Sequence, residues 1–273
     1  MTDLRASPLG HATTWADGYD PRLLFPVERA PLRAELEFSD ALPFRGIDVW
    51  NCYELSWLDA SGKPEIAIAT FEVPADSPRI VESKSVKLYL TALNLVRFAA
   101  REDVAATIER DLSAATGASV AVALDGPEAF GTLPRGELAG ASLDAVSLDA
   151  VDAAPDADVL RAEGAPVAEA LVTRLFRSVC PVTGQPDYAS LQLRYRGRRI
   201  DRAGLLRYFV SFRRHAGFHE HCVERIFVDV WERCRPEALA VYARFTRRGG
   251  IDINPFRTSG DDAPPPNART ARQ

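Results

Sequence analysis

The chain has 273 residues, 47% of them hydrophobic and 26% charged, a balance that suits a globular protein and excludes a disordered or fibrous one. A formal net charge of −5 argues against an obligate nucleic-acid binder, and no apolar run is long enough to span a bilayer. Four cysteines (Cys52, Cys180, Cys222, Cys234) without a CxxC pair, and no basic-then-apolar leader, lead us to expect reduced thiols in a cytoplasmic protein and no structural zinc.

Residues 1–44 carry many prolines and little periodicity, which predicts an arm laid over a core. Two strands follow, Ile47–Trp57 and Glu65–Val73, joined as a hairpin by Ser61-Gly62-Lys63-Pro64. Val86, Leu90, Leu93 and Val96 recur at helical spacing and predict a helix over 83–98. A second helix is expected over Glu102–Ala115, closing at Gly117, then a strand at Ala118–Leu124 and another within 137–151. The stretch 153–166, with Ala153-Ala-Pro-Asp-Ala-Asp158, is the expected linker. Beyond it the order repeats. Val167–Arg177 and Ala189–Arg196 read as strands, and Asp201–His215 as a helix with Leu205, Leu206, Phe209 and Phe212 on one face. His219–Arg233 reads as a helix with the stripe Val223, Ile226, Phe227, Val230 and Trp231. Pro236–Thr246 and Gly250–Phe256 read as strands, and the polar, proline-rich 259–273 as a disordered tail. The expectation is an α+β protein of an arm (1–44) and two tandem units (45–152 and 167–258), pseudo-symmetric, with a site at the seam.

Cys180-Pro-Val-Thr-Gly-Gln-Pro-Asp187 holds a thiol and a carboxyl seven residues apart across a turn-forming segment. A strand-end thiol of this kind is expected to stay accessible, although a lone cysteine is more often buried structure. His219 and Glu220 open a helix, where Glu220 suits the helix dipole or, functionally, a heterocycle that presents donors. His221 and Cys222 do not complete a metal site, since neighbours on a helix fan over different faces. Glu82-Ser83-Lys84-Ser85 reads either as a helix start with a serine N-cap, or as an acid followed by free N–H groups, Lys and Ser for a phosphate. Arg247-Arg248-Gly249-Gly250 offers a second anion site beside flexible backbone, and no GxGxxG follows a strand.

Four stretches carry a resemblance: Val81–Leu90, Cys180–Asp187, Phe218–Phe227 and Tyr242–Phe256, together with Tyr19-Asp-Pro-Arg-Leu-Leu-Phe-Pro26 in the arm. On these the chain resembles the NADPH-dependent 7-cyano-7-deazaguanine reductases, the nitrile reductases of queuosine biosynthesis, in their long two-domain form. The resemblance implies the tunnelling fold, each unit a four-stranded antiparallel sheet with two helices on one face. It implies that Cys180 adds to the nitrile carbon as a thiolate to form a thioimidate, and that Asp187 handles the proton on nitrogen. It further implies that Glu82, Ser83, Lys84, His219 and Glu220 hold the deazaguanine, and that Lys84, Ser85, Arg248 and Gly249 meet NADPH. A homodimer without metal, membrane or nucleic-acid partner is implied too. Tyr188 and Val179 depart from the family pattern, where tryptophan and a polar residue are usual, and the zinc ligands of related cyclohydrolases are missing. Two other classes remain open: a cysteine nitrilase or amidohydrolase, which would release ammonia without NADPH, and a non-catalytic module that binds a purine-like ligand or RNA.

Overall fold

The computed structural model describes residues 18–36, 38, 41–149 and 153–273. Residues 1–17 of the expected arm, with 37, 39 and 40, therefore lie outside the described residues, as do 150–152 at the end of the first expected unit. The chain gathers into two compact units that do not follow simple chain order. Among the described residues, the first contains those up to Ala34, Asp48–Leu133 and Arg247–Ile253; the second contains those of Glu35–Ile47, Pro134–Thr246 and Asn254–Gln273.

In the first unit β1 (Pro26–Glu28) leads into the short α1 (Arg29–Arg33), and β2 (Arg45–Leu58), whose first three residues belong to the second unit, forms the expected hairpin with β3 (Pro64–Pro74). Its turn works because Asp59 accepts from the backbone N–H groups of Ser61 and Lys63, and because Gly62 takes a φ of +94°. β4 (Arg79–Val81) pairs antiparallel with β1. α2 (Ser83–Ala92) and α3 (Arg101–Thr116) follow, the latter ended by Gly117 at φ +77°, and β5 (Ala121–Asp125) adds to β3. Ala67, Ala69, Phe71 and Val73 alternate inward along β3 into a core shared with Val86, Tyr89 and Leu90 of α2, its C-cap Leu93, and Val104, Ile108 and Leu112 of α3. The helix expected to reach 98 stops at Ala92, because Leu58 takes the following backbone: Leu58 N–H donates to Val96 O, and Phe98 N–H to Leu58 O. The apolar spacing that includes Val96 cannot reveal that competition.

The second unit holds β6 (Ala141–Ser142), β7 (Ala162–Val179), β8 (Pro186–Ile200), α4 (Arg202–Ser211), α5 (His219–Cys234) and β9 (Ala238–Phe245). β10 (Ile251–Thr258) gives its first three residues to the first unit and the remainder to the second. The strands run β10-β9-β8-β7-β6, antiparallel except for β6 on β7. Ala189, Leu191 and Leu193 of β8 and Val241, Ala243 and Phe245 of β9 face a core filled by Leu205, Leu206, Phe209 and Phe212 of α4 and Val223, Ile226, Phe227 and Val230 of α5. This is the α+β plan expected, with the predicted helix faces inward; Trp231 packs only at the edge of the core.

Three expectations are corrected. The strand sought within 137–151 is only two residues long and joins β7, while the strand beside β2 is β10. The expected linker 153–166 is strand from Ala162 onward, since its backbone pairs with Arg199 and Ile200 despite its alanine-rich composition. The tail 259–273 is not disordered: Thr270 and Gln273 are buried, and Gln273 bonds to Arg244, Asn254 and Phe245. Composition reports polarity, but these polar groups find buried partners that only the folded sheet provides.

Candidate active site

Cys180 and Asp187 flank the turn between β7 and β8. Cys180 N–H donates to Gln185 O at 2.8 Å, Gly184 N–H donates to Cys180 O at 3.0 Å, and Gly184 takes φ +68°, a conformation glycine adopts without penalty. Ser178 stands directly opposite Asp187 in the ladder, and Phe176 opposite Ala189. Opposed residues share a face and faces repeat every second residue, so Asp187 lies on the helix-covered face, in line with the core residues Ala189 and Leu191. The expected accessible thiol is corrected here: Cys180 is only 5% exposed. The segment 215–217 lies beside it, with Val179 N–H donating to His215 O and Gly217 N–H to Val179 O.

α5 brings its first turn to the same place. His219 Nε2 stands 3.5 Å from Asp187 Oδ2, and the imidazole stacks on Phe245 with ring centroids 3.8 Å apart. Phe245 is itself the ladder partner of Ala189, two residues beyond Asp187. Glu220 is buried in the same helical turn, and no side chain caps this helix start. The buried Nδ1 of His219 has no hydrogen-bond partner among the described residues. Around this group burial sets protonation. Burial pushes the Cys222 thiol up to about 12, so it stays a thiol at neutral pH. Burial, then the Arg225 charge and His221, hold His215 down at about 4, so its ring is neutral. The second unit thus brings together Cys180, Asp187, His219 and Glu220. Nothing in the sequence marked Phe245 as their partner, although its inward strand phase was legible.

The other motif residues belong to the first unit. Glu82, not a serine, is the N-cap of α2: its carboxylate accepts from Lys84 N–H at 2.7 Å and Ser85 N–H at 2.8 Å. The N–H groups expected to await a phosphate are therefore taken by the protein's own anion. Ser85 is fully buried; its hydroxyl donates to Glu82 O at 2.6 Å and accepts from Phe25 N–H at 2.9 Å. Ser85 fastens the arm to this helix start, its hydroxyl proton spent on the Glu82 carbonyl. Ser83 and Lys84 are half-buried beside it. Gly249, at φ +60°, lies against Lys87: a Cβ added there would meet Lys87 Nζ at 2.7 Å. Lys87 is one turn beyond Lys84, so two ammonium groups, Arg248 and an open glycine turn share this unit. That donor set fits a phosphate-bearing cofactor. Lys87 was missed in the sequence, although its spacing of three from Lys84 was the available signal.

Comparison with known proteins settles the family. Residues 15–124 match the model described as nitrile reductase, 7-cyano-7-deazaguanine-reductase N-term, and residues 186–264 match that of QueF-like protein. An NADPH-dependent 7-cyano-7-deazaguanine reductase of Burkholderia multivorans is 58% identical over 98% of this chain and 98% of its own length. The chain belongs to the NADPH-dependent 7-cyano-7-deazaguanine reductase family. A reductase of the same description from Bordetella pertussis is 55% identical over 99% of both chains. A solved archaeosine synthase QueF-Like chain in the apo form matches at 17% identity and TM-score 0.32, covering 37% of this chain and 99% of its own, a likeness too slight to support any argument. Among the described residues of this reductase-family chain no helix is long and apolar enough to cross a membrane.

Proposed function

We propose that this chain reduces the nitrile of 7-cyano-7-deazaguanine to the aminomethyl group with two NADPH, as a cytoplasmic homodimer in queuosine biosynthesis, and that Cys180 is the nucleophile. The observation that carries the chemistry is the convergence of Cys180, Asp187 and His219 at one buried strand end beneath the α5 N-terminus.

Cys180 sulfur, as thiolate, adds to the nitrile carbon while Asp187 gives a proton to the nitrile nitrogen, so that an S–C bond forms and one C–N π bond is replaced by N–H. When bound, NADPH supplies one hydride to that carbon and a second to the imine that remains once the S–C bond breaks. Asp187 takes back and returns protons at the nitrogen, and the departing sulfur leaves as thiolate, ready for another turnover. His219 at 3.5 Å fixes the carboxyl orientation and, through its unpartnered Nδ1, reads the ligand. The low exposure of Cys180 keeps water from the thioimidate before hydride arrives. Glu220 and Glu82 serve the amino and imino N–H donors of the deazaguanine, whose burial without acceptors would be costly. Lys84, Lys87, Arg248 and Gly249 hold the cofactor phosphates.

The test is intact-mass measurement with 7-cyano-7-deazaguanine and no NADPH. The native chain gains the mass of one ligand and Cys180→Ala gains none; a folded native chain that gains nothing, or that releases ammonia, refutes the proposal.

A further inference from the structure

The sheet of the second unit has a second face, away from α4 and α5. Ser190, Gln192, Tyr242, Arg244 and Phe256 alternate with the helix-facing residues and lie in ladder register with one another. The segment after β10 returns across it: Arg272 donates to Ser190 Oγ, and Gln273 becomes buried. The Gln273 carboxamide is satisfied on both ends. Its Oε1 accepts from Arg244 Nε at 2.8 Å and Thr270 N–H at 3.1 Å. Its Nε2 donates to Phe245 O at 2.9 Å and Asn254 Oδ1 at 2.8 Å. Arg244 and Asn254 are themselves sealed from solvent, at 1% and 0% exposure. Two buried side chains, one main-chain carbonyl and one main-chain N–H thus form a receptacle that reads a primary carboxamide, donor side and acceptor side alike.

The Phe245 carbonyl is the consequential contact. It belongs to the residue whose ring carries His219 at 3.8 Å on the opposite face of the same sheet. Fixing that peptide fixes the ring's height and tilt, and with them the imidazole 3.5 Å from Asp187. We infer that Gln273 is a positioning residue: through the Phe245 main chain, its carboxamide sets the aromatic platform on which His219 rests. The consequence for catalysis rests on the role proposed above for His219 and Asp187.

Two readings separate the inference from that role. Histidine-labelled full chain is compared by NMR with Gln273→Ala and Gln273→Glu, the His219 signal being assigned by its loss in His219→Gln. Gln273→Glu keeps an oxygen for Arg244 but loses both N–H donors, so it covers the case in which the alanine variant does not fold. The expected result is a displaced His219 resonance, as the Phe245 ring current changes, with Cys180 adduct formation slowed by about tenfold through misplacement of the site. A displaced resonance with an unchanged adduct rate upholds the positioning of the ring and removes the catalytic role of His219. A lowered Tm with the His219 resonance in place overturns the inference, because Gln273 is then only a stabiliser of the sheet.

Discussion

Glu224 and Arg257 form a buried ion pair one turn beyond Glu220, and its removal tests how the active-site end of α5 is held. Arg257 is fully buried and Glu224 nearly so; Arg257 Nη2 and Nε donate to Glu224 Oε1 at 2.8 and 3.2 Å. The guanidinium also donates to Ile47 O and Phe256 O and lies 5.5 Å from the Phe44 ring centre, while Phe44 packs edge-on against Phe227 of α5. Glu224→Gln keeps the shape and one acceptor oxygen but leaves a buried cation without its counter-charge. Breaking such a pair costs about 3–5 kcal/mol, and the retained acceptor argues for about 3. For a chain of this size that is a fall in Tm of about 10 °C. Denaturant melting gives the size of the loss, and hydrogen exchange along α5 locates it. Replacing both residues by methionine is expected to cost no more than Glu224→Gln alone, because no charge is then left in the core. A loss under about 1 kcal/mol in Glu224→Gln, or a double variant markedly worse than the single, would refute the reasoning.

Other outcomes follow from the site. Asp187→Asn should slow formation of the Cys180 adduct by about 10²-fold or more while ligand still binds, as removal of a positioned proton donor does; unchanged adduct kinetics would dismiss Asp187 as the donor. His215 is held at about 4 against an ordinary 6.5, so the unfolded chain takes up its proton first as pH falls. Its contribution to stability is complete above about pH 6.5 and is lost on acidification towards pH 4. The gap corresponds to about 3 kcal/mol, reduced by solvent screening of a partly exposed ring to about 1–2. Comparing native chain with His215→Phe at pH 7 and pH 4.5 checks this, and parallel pH dependences in the two would contradict it. Ser85→Ala should cost about 1–2 kcal/mol by leaving Phe25 N–H unpaired, with KM for NADPH unchanged; a raised KM at native stability would restore Ser85 to the cofactor site. At neutral pH, iodoacetamide should leave Cys222 unmodified in the folded chain, since burial holds it as a thiol; its alkylation before unfolding would show that the core around α5 is open.

The order of elements, the inward stripes of α2, α4 and α5 and the pairing of Cys180 with Asp187 across a tight turn were legible in the sequence. Each depends on a period of 2 or 3.6 residues, or on the fixed preferences of proline and glycine, which act locally. The resemblance of four short stretches also identified the family. Tertiary structure decided what those residues do with their polar atoms. Glu82 spends two acceptor sites on its own helix, Ser85 holds the arm, α2 yields Val96 to Leu58, and a proline-rich tail becomes ordered because Gln273 meets Arg244 and Asn254. The same holds for the exposure of Cys180 and the stacking of His219 on Phe245. Local sequence sets which backbone shape is cheapest, whereas burial and hydrogen-bond satisfaction are settled between residues far apart in the chain, and only the folded protein brings those together.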